Sequence, residues 1–182
     1  SVASDAAYVA ILAWRNALDA ETRLATQPPS TDKDFEKVPA PRPIPPREQA
    51  LLRALEIYIA HGPPPDELAT AKFLRANTYR RFDHLDKAIQ MFLDVIENHR
   101  DHEVAEYAAN LALDSYNLLQ RHDQLIAFVD KLRADKPFLA KRPDLAETVT
   151  QIRLQSLRRG GERCERSARE SRNLAEYDRC GD

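Results

Sequence analysis

Apolar residues recur at three- and four-residue steps along most of this chain, which is the spacing of one face of an α-helix. Tyr8, Ile11 and Leu12 begin the first such pattern, which predicts a helix over residues 4–25. Later patterns predict helices around residues 51–59, 68–79, 85–96, 105–116, 125–132 and 144–168, with an eighth starting near residue 173. Asp66 is placed to cap the third helix. The chain is therefore predicted to be all-α, with about eight helices.

A proline-rich segment, residues 28–46, separates the first two predicted helices. Its alternating prolines exclude helix and β-ladder alike, so the segment is expected to be extended, exposed and close to polyproline II. Three interpretations stay open: a long loop between helices, a strap lying in the protein's own groove, or a docking peptide for a partner. Pro137 and Pro143 bracket a later connection.

The predicted helices form pairs joined by short turns, such as the turn at residues 82–84, and the pairs repeat. Tyr79 and Tyr116 lie 37 residues apart, and Ala54 and Ala88 lie 34 residues apart. A period of this length, built from two helices, is typical of a solenoid in which each pair stacks on the next.

The repeat resembles the tetratricopeptide pattern, which has a Tyr late in the first helix, a small residue nine positions on, an aromatic four later and a closing Pro. Tyr79, Ala88 and Phe92 follow that order, but Arg100 stands where the Pro is expected. The next unit matches with Tyr116, Leu125, Val129 and Pro137, in which Leu125 replaces the small residue. The resemblance covers roughly residues 48–137, and other solenoids of helical hairpins remain an alternative.

This resemblance implies one domain over residues 1–182: a right-handed α-solenoid of antiparallel helical hairpins whose last repeat is truncated at the C-terminus. In that family the first helix of each pair lines a concave groove that binds a peptide or a partner helix. The groove residues implied here are Thr70, Phe73, Asn77, Arg80, Tyr107, Asn110, Asp114 and Asn117. Phe73 stands where the chaperone-tail subgroup has a Lys, so capture of a terminal carboxylate is not expected.

Two cysteines lie late in the chain. If a helical hairpin turns near Arg172, Cys164 and Cys180 face each other at a spacing compatible with a disulfide, and two buried free thiols are the alternative. Gly160-Gly161 is another place where the seventh helix could end. Small residues at four-residue spacing through Gly160 favour a continuous helix instead. A disulfide would indicate an oxidising compartment such as a periplasm.

Composition narrows the function classes. A net charge of −2 gives no basic excess for nucleic acid, and no apolar run approaches the ~20 residues that span a membrane. His99, His102 and Glu103 could start a metal site, but a turn splits them and no second cluster completes the ligand set. No catalytic residue, no metal site and no cofactor are therefore predicted.

The sequence thus predicts a non-catalytic scaffold that binds another protein or peptide within a larger bacterial complex, in the periplasm or cell envelope, with the cytoplasm as the alternative. Two other functions stay open: a helical arm of a cell-wall enzyme, or a spacer within a longer repeat array. The chain is expected to be a piece of a longer protein, and its truncated end is expected to give weak self-association.

Overall fold

The computed structural model describes residues 8–9, 11–13 and 38–171, with the side chains of the last helix described as far as Arg158. Within these ranges every regular element is an α-helix, which confirms the all-α prediction. Between residues 38 and 171 the helices are α1 (Pro46–Ala60), α2 (Pro65–Arg81), α3 (Leu85–Asn98), α4 (Val104–Leu118), α5 (His122–Ala134), α6 (Lys136–Ala140) and α7 (Pro143–Ser171).

The chain divides into two compact units, Ser1–Arg121 and His122–Asp182, which we call the N-terminal and C-terminal units. The boundary falls between α4 and α5, inside the second unit of the predicted repeat. Single-domain organisation and solenoid stacking therefore stay predictions.

In the N-terminal unit each helix packs on the next, and α2 also contacts α4. Turns of three to five residues join α2 to α3 and α3 to α4, and packed neighbours joined so closely run antiparallel. Small side chains allow the close approach: Ala69 and Ala76 of α2, Ala88 of α3 and Ala108 of α4 have no exposed surface. Phe92 fills the centre of the same core and is also wholly buried.

The described residues near the N-terminus, 8–9 and 11–13, are helical and pack on α1. Ile11 is buried against Leu51 and Leu55, and the Tyr8 ring stacks on the Tyr58 ring with centroids 5.8 Å apart. The remainder of the helix predicted over residues 4–25 lies outside the described residues.

The described part of the proline-rich segment, residues 38–45, has no regular secondary structure, and we call it the strap. Pro45 has φ −60° and ψ 156°, close to polyproline II. The strap is tied to the turn between α2 and α3 by Arg42, whose backbone N–H donates to the Phe82 carbonyl at 2.9 Å. The Arg42 guanidinium also donates to the Asp83 carboxylate at 2.5 Å and to the Arg81 carbonyl at 2.6 Å.

Three helix starts differ from the sequence predictions, and proline explains each. Helix α1 begins at Pro46, which was assigned to the insertion, and α2 begins at Pro65 with Asp66 in its first turn and no side-chain cap. The connection after Pro137 contains α6, capped by Asp135, whose side chain accepts from the Phe138 N–H. Proline breaks a helix interior but suits the first turn, where its missing N–H is not needed.

The C-terminal unit contains α5, α6 and α7, which pack on one another. Its buried residues include Leu125, Phe128, Val129, Leu132, Phe138, Leu145 and Val149. Arg142 is buried beside them: its guanidinium lies 4.0 Å from the centre of the Phe138 ring and donates to the Phe138 carbonyl at 3.0 Å. Helix α7 continues through Gly160-Gly161, which confirms the predicted continuity. No described helix has the length and hydrophobicity of a membrane span.

Candidate functional site

The eight predicted groove residues occupy two helices that contact each other in the N-terminal unit. We call this surface the α2/α4 face; it consists of Thr70, Phe73, Asn77 and Arg80 on α2 and Tyr107, Asn110, Asp114 and Asn117 on α4. Side chains three, four and seven positions apart lie along one side of a helix. Each row therefore forms a stripe, and the contacts below show where the stripes meet.

Two side-chain contacts join the stripes. The Phe73 and Tyr107 rings lie 6.4 Å apart, and Arg80 forms an ion pair with Asp114. Both contacts join residues 34 positions apart, which is the spacing of Ala54 and Ala88 in the sequence. Because the offset is constant, α2 and α4 run in the same direction, in register by one repeat.

The aromatic contact forms part of a series that runs from the core to the surface. Phe92 is wholly buried, Phe73 is half-buried at 5.9 Å from the Phe92 ring, and Tyr107 is 60% exposed. A tyrosine side chain offers a large apolar area and a hydroxyl group, and it loses little conformational entropy when a partner covers it. An exposed Tyr that packs on a second ring is therefore suited to binding. The ring of Tyr107 is therefore the most accessible apolar element of this face.

The charged contact has a different character. The side chains of Arg80 and Asp114 are 24% and 48% exposed, so water screens the pair. Each satisfies the other within the chain, and the Nε of Arg80 is buried without a hydrogen-bond partner among the described residues. This end of the α2/α4 face is thus better placed to fix the spacing of the two helices than to hold a ligand.

The amide and hydroxyl groups lie between and beside these contacts. Thr70 donates its hydroxyl to the Asp66 carbonyl at 3.1 Å, and Asn110 donates one N–H to the Glu106 carbonyl at 3.2 Å. Asn77 is half-buried and Asn117 is exposed. An Asn side chain has two donors and two acceptor sites, so these amides retain capacity for a peptide backbone.

A cluster of charged groups, which the sequence analysis did not foresee, lies behind the aromatic series. Lys72 of α2 donates to the Asp94 carboxylate of α3 at 2.8 Å, and the Asn98 amide donates to the same carboxylate at 2.7 Å. Burial raises the pKa of Asp94, but the hydrogen bond and charge of Lys72 outweigh burial, so this pKa lies below its ordinary value. Burial, with help from the Lys72 charge, lowers the pKa of His99.

The strap also forms one wall of a cleft of about 370 Å³ against α1 and the end of α2. The walls of this cleft include Pro43, Ile44, Leu52, Arg53, Glu56 and Tyr79. This cleft cannot be predicted from the sequence, because nothing in an extended proline-rich segment indicates which distant turn it will meet. Residues 38–45 lie against the turn between α2 and α3, and the three interpretations of the whole proline-rich segment stay open.

The remaining predicted sites are not covered. The backbone at Cys164 belongs to α7, but its side chain and all of Cys180 lie outside the described residues, so the disulfide stays a prediction. The end predicted to self-associate lies outside them too. Among the described residues no three His, Cys, Asp or Glu side chains converge as a metal site would require.

Comparisons with known proteins leave the family open. No family model, curated protein or solved structure matches this chain. The tetratricopeptide resemblance therefore stays a hypothesis carried by the residues quoted above, and function has to be argued from the α2/α4 face itself.

Proposed function

We propose that this protein is a non-catalytic interaction module of the tetratricopeptide-like type, and that its α2/α4 face binds an extended peptide or a helix of a partner protein. The observation that carries the proposal is Tyr107, 60% exposed and supported from below by Phe73. Asn77 and Asn110 lie on the same two stripes, within one or two helical turns of the aromatic pair.

A ring held on a second ring loses little freedom when a partner covers it, so the area it buries contributes to affinity with a small entropic cost. Neighbouring amides then satisfy backbone groups of the partner that would otherwise lose their water. Arg80 and Asp114 fix the separation of the helices, which pre-organises the surface.

The parallel register of α2 and α4, with its offset of one repeat, supports the further proposal that the helical hairpins stack as a right-handed solenoid. A spacer within a longer array would have the same stacking but no preference for a ligand. The binding experiment below distinguishes the two.

The test is selection of displayed random peptides on the intact protein, followed by affinity measurement for one selected peptide. We expect Tyr107→Ala to weaken binding about 30-fold or more, the size typical of an interface hot spot. The matched control is Ile57→Ala, which removes an apolar side chain of α1 that is 62% exposed. Its affinity should equal that of the wild type.

Two outcomes would contradict the proposal. Selection that never enriches a peptide above background would favour a spacer. Equal losses for Tyr107→Ala and Ile57→Ala would place the binding surface away from the α2/α4 face.

We also propose a location in a bacterial cell envelope, which depends on a Cys164–Cys180 disulfide. Intact mass after alkylation of the unreduced, denatured protein should show no labelled thiol and the mass of a monomer. The control is the same sample reduced before alkylation, which should take two labels. Two labels without reduction would remove the support for an oxidising compartment and favour a cytoplasmic scaffold.

A further inference from the structure

The turn between α3 and α4, residues 99–103, contains two histidines with contacts that disfavour a charged ring. His99 caps the C-terminal end of α3 with its backbone N–H, which donates to the Val95 carbonyl at 2.9 Å. Its ring Nε2 is buried, and no hydrogen-bond partner for it is found among the described residues. A proton added there would introduce a charge that has neither water nor an acceptor.

The ring of His102 contacts the start of the next helix, α4. Its Nδ1 lies 3.2 Å from the backbone nitrogen of Val104, the first residue of α4. Because that backbone group can only donate, Nδ1 must be the acceptor and must carry no proton. The bond satisfies an amide that an α-helix leaves unpaired in its first turn. Protonation would replace the acceptor with a second donor and add positive charge where the helix dipole is already positive.

The charges around His99 add to this sensitivity. Lys72 approaches from α2, Asp94 from α3 and His102 from the same turn. The Asp94 carboxylate is already shared by Lys72 and the Asn98 amide. Two protonated histidines would therefore add two cations to this cluster, His99 beside Lys72 and Asp94, and His102 beside His99. The lowered pKa of His99, caused first by burial and then by Lys72, agrees with this geometry.

We propose that residues 99–103 form a proton-sensitive switch, in which protonation of His99 and His102 opens the turn and frays the first turn of α4. Tyr107 is the fourth residue of α4, so the switch would also displace the ring that the α2/α4 face presents. The opening itself is an internal event of the chain and does not require that the face bind anything.

Amide hydrogen exchange of the full chain at pH 7.5 and pH 5.5 tests the switch. Protection factors remove the intrinsic pH dependence of exchange. We expect the amides of Ala105 and Glu106, which bond to His102 and Glu103 carbonyls, to lose protection at least about fivefold at the lower pH. Amides at the turn between α2 and α3 should keep theirs. Unchanged protection at Ala105 and Glu106 would overturn the proposal.

A double variant, His99→Gln with His102→Asn, assigns the effect. Both replacements are polar and do not titrate, and Asn retains an oxygen that accepts from an N–H. Its protection should be the same at both pH values, while the control His61→Asn, at the exposed end of α1, should respond like the wild type. If the protection of these amides still depends on pH in the double variant, the proposal is wrong.

The wild type supplies a readout that does not depend on the variants folding. The ring nitrogens of His102 can be followed by NMR across the same pH range. Titration of Nδ1 in step with the loss of protection at Ala105 supports the switch. Titration at a different pH overturns it.

Discussion

The two ends of helix α3 are held by opposite kinds of chemistry. At its N-terminal end the strap is fastened through Arg42, whose guanidinium donates to the Asp83 carboxylate and to the Arg81 carbonyl. At its C-terminal end residues 99–103 contain a buried ring nitrogen of His99 and the His102 Nδ1 that accepts from Val104, the two groups of the proposed switch. One helix thus has one end fastened by a guanidinium from a distant segment and one end that contains two histidine rings.

The two ends also differ in where their stabilising groups come from. Arg42 lies 41 residues before Asp83, its partner in the turn at residues 82–84. The Nε2 of the His84 ring also lies 2.9 Å from the Arg42 carbonyl oxygen. The turn at residues 99–103 contains hydrogen bonds between its own residues, such as the His102 N–H to the His99 carbonyl. Removal of the distant contact should therefore release the strap and leave the helices, whereas a change in the local contact should act on the helix itself.

The largest effect on stability is expected from a buried residue in the middle of α3, between its two ends. Phe92 lies midway along α3 and is wholly buried, so Phe92→Ala should lower the free energy of unfolding by about 3–5 kcal/mol. Urea unfolding measures this, and Ile57→Ala, an exposed apolar control, should change it by less than about 0.5 kcal/mol. A loss of the same small size in both variants would mean that α3 has no common core beneath its two turns.

A smaller effect on stability is expected at the N-terminal end of α3, where the strap is attached. Arg42→Ala should lower the free energy of unfolding by about 1 kcal/mol, because its side chain is half exposed and its bonds are partly screened. Arg42→Lys should lose nearly as much, since an ammonium cannot reach Asp83 and the Arg81 carbonyl in the same fork geometry.

Limited proteolysis of the strap, alongside thermal unfolding, checks the Arg42 result. The control is Ile57→Ala, a change at an exposed position of α1 that is not part of the cleft walls. If Arg42→Lys behaves like the wild type, charge alone holds the strap and the fork is irrelevant.

The smallest effect is expected at the titratable end, and it has a distinctive sign. Lys72→Met should raise the pKa of Asp94, which loses its ion pair, and should also raise the pKa of His99, which loses a nearby cation. NMR titration of the two side chains measures both shifts. Lys87→Met, which removes a cation over the Tyr79 ring near the other end of α3, should move neither. Shifts in opposite directions would contradict the proposed electrostatics.

The pH dependence of stability follows from the same two groups. The folded pKa of His99 lies below its ordinary value of 6.5, so the unfolded chain binds more protons and stability falls as pH drops through that region. The folded pKa of Asp94 lies below 3.8, so its contribution is present above that value and is lost as pH falls through the folded pKa. Lys72→Met should reduce both losses.

Much of the helical architecture could be predicted, because it depends on residues close together in sequence. The turn at residues 82–84, the continuity of α7 through Gly160-Gly161 and the two stripes of the α2/α4 face were all accessible from three- and four-residue spacing. The errors concern proline. The sequence places Pro46, Pro137 and Pro143 in connections, although each occupies a first helical turn, where the same ring is tolerated.

The sequence by itself determined that this chain is helical, where most of its turns fall and which side chains share one side of α2 and of α4. These properties follow from residues close together in sequence and from the helical period of 3.6 residues, and they do not depend on distant partners. Tertiary structure alone decided that Arg42 fastens a strap to the turn at residues 82–84, that Phe73 supports Tyr107, and that Lys72 shares Asp94 with Asn98 beside His99. Such contacts depend on which helices meet and in what register, and no local spacing encodes that.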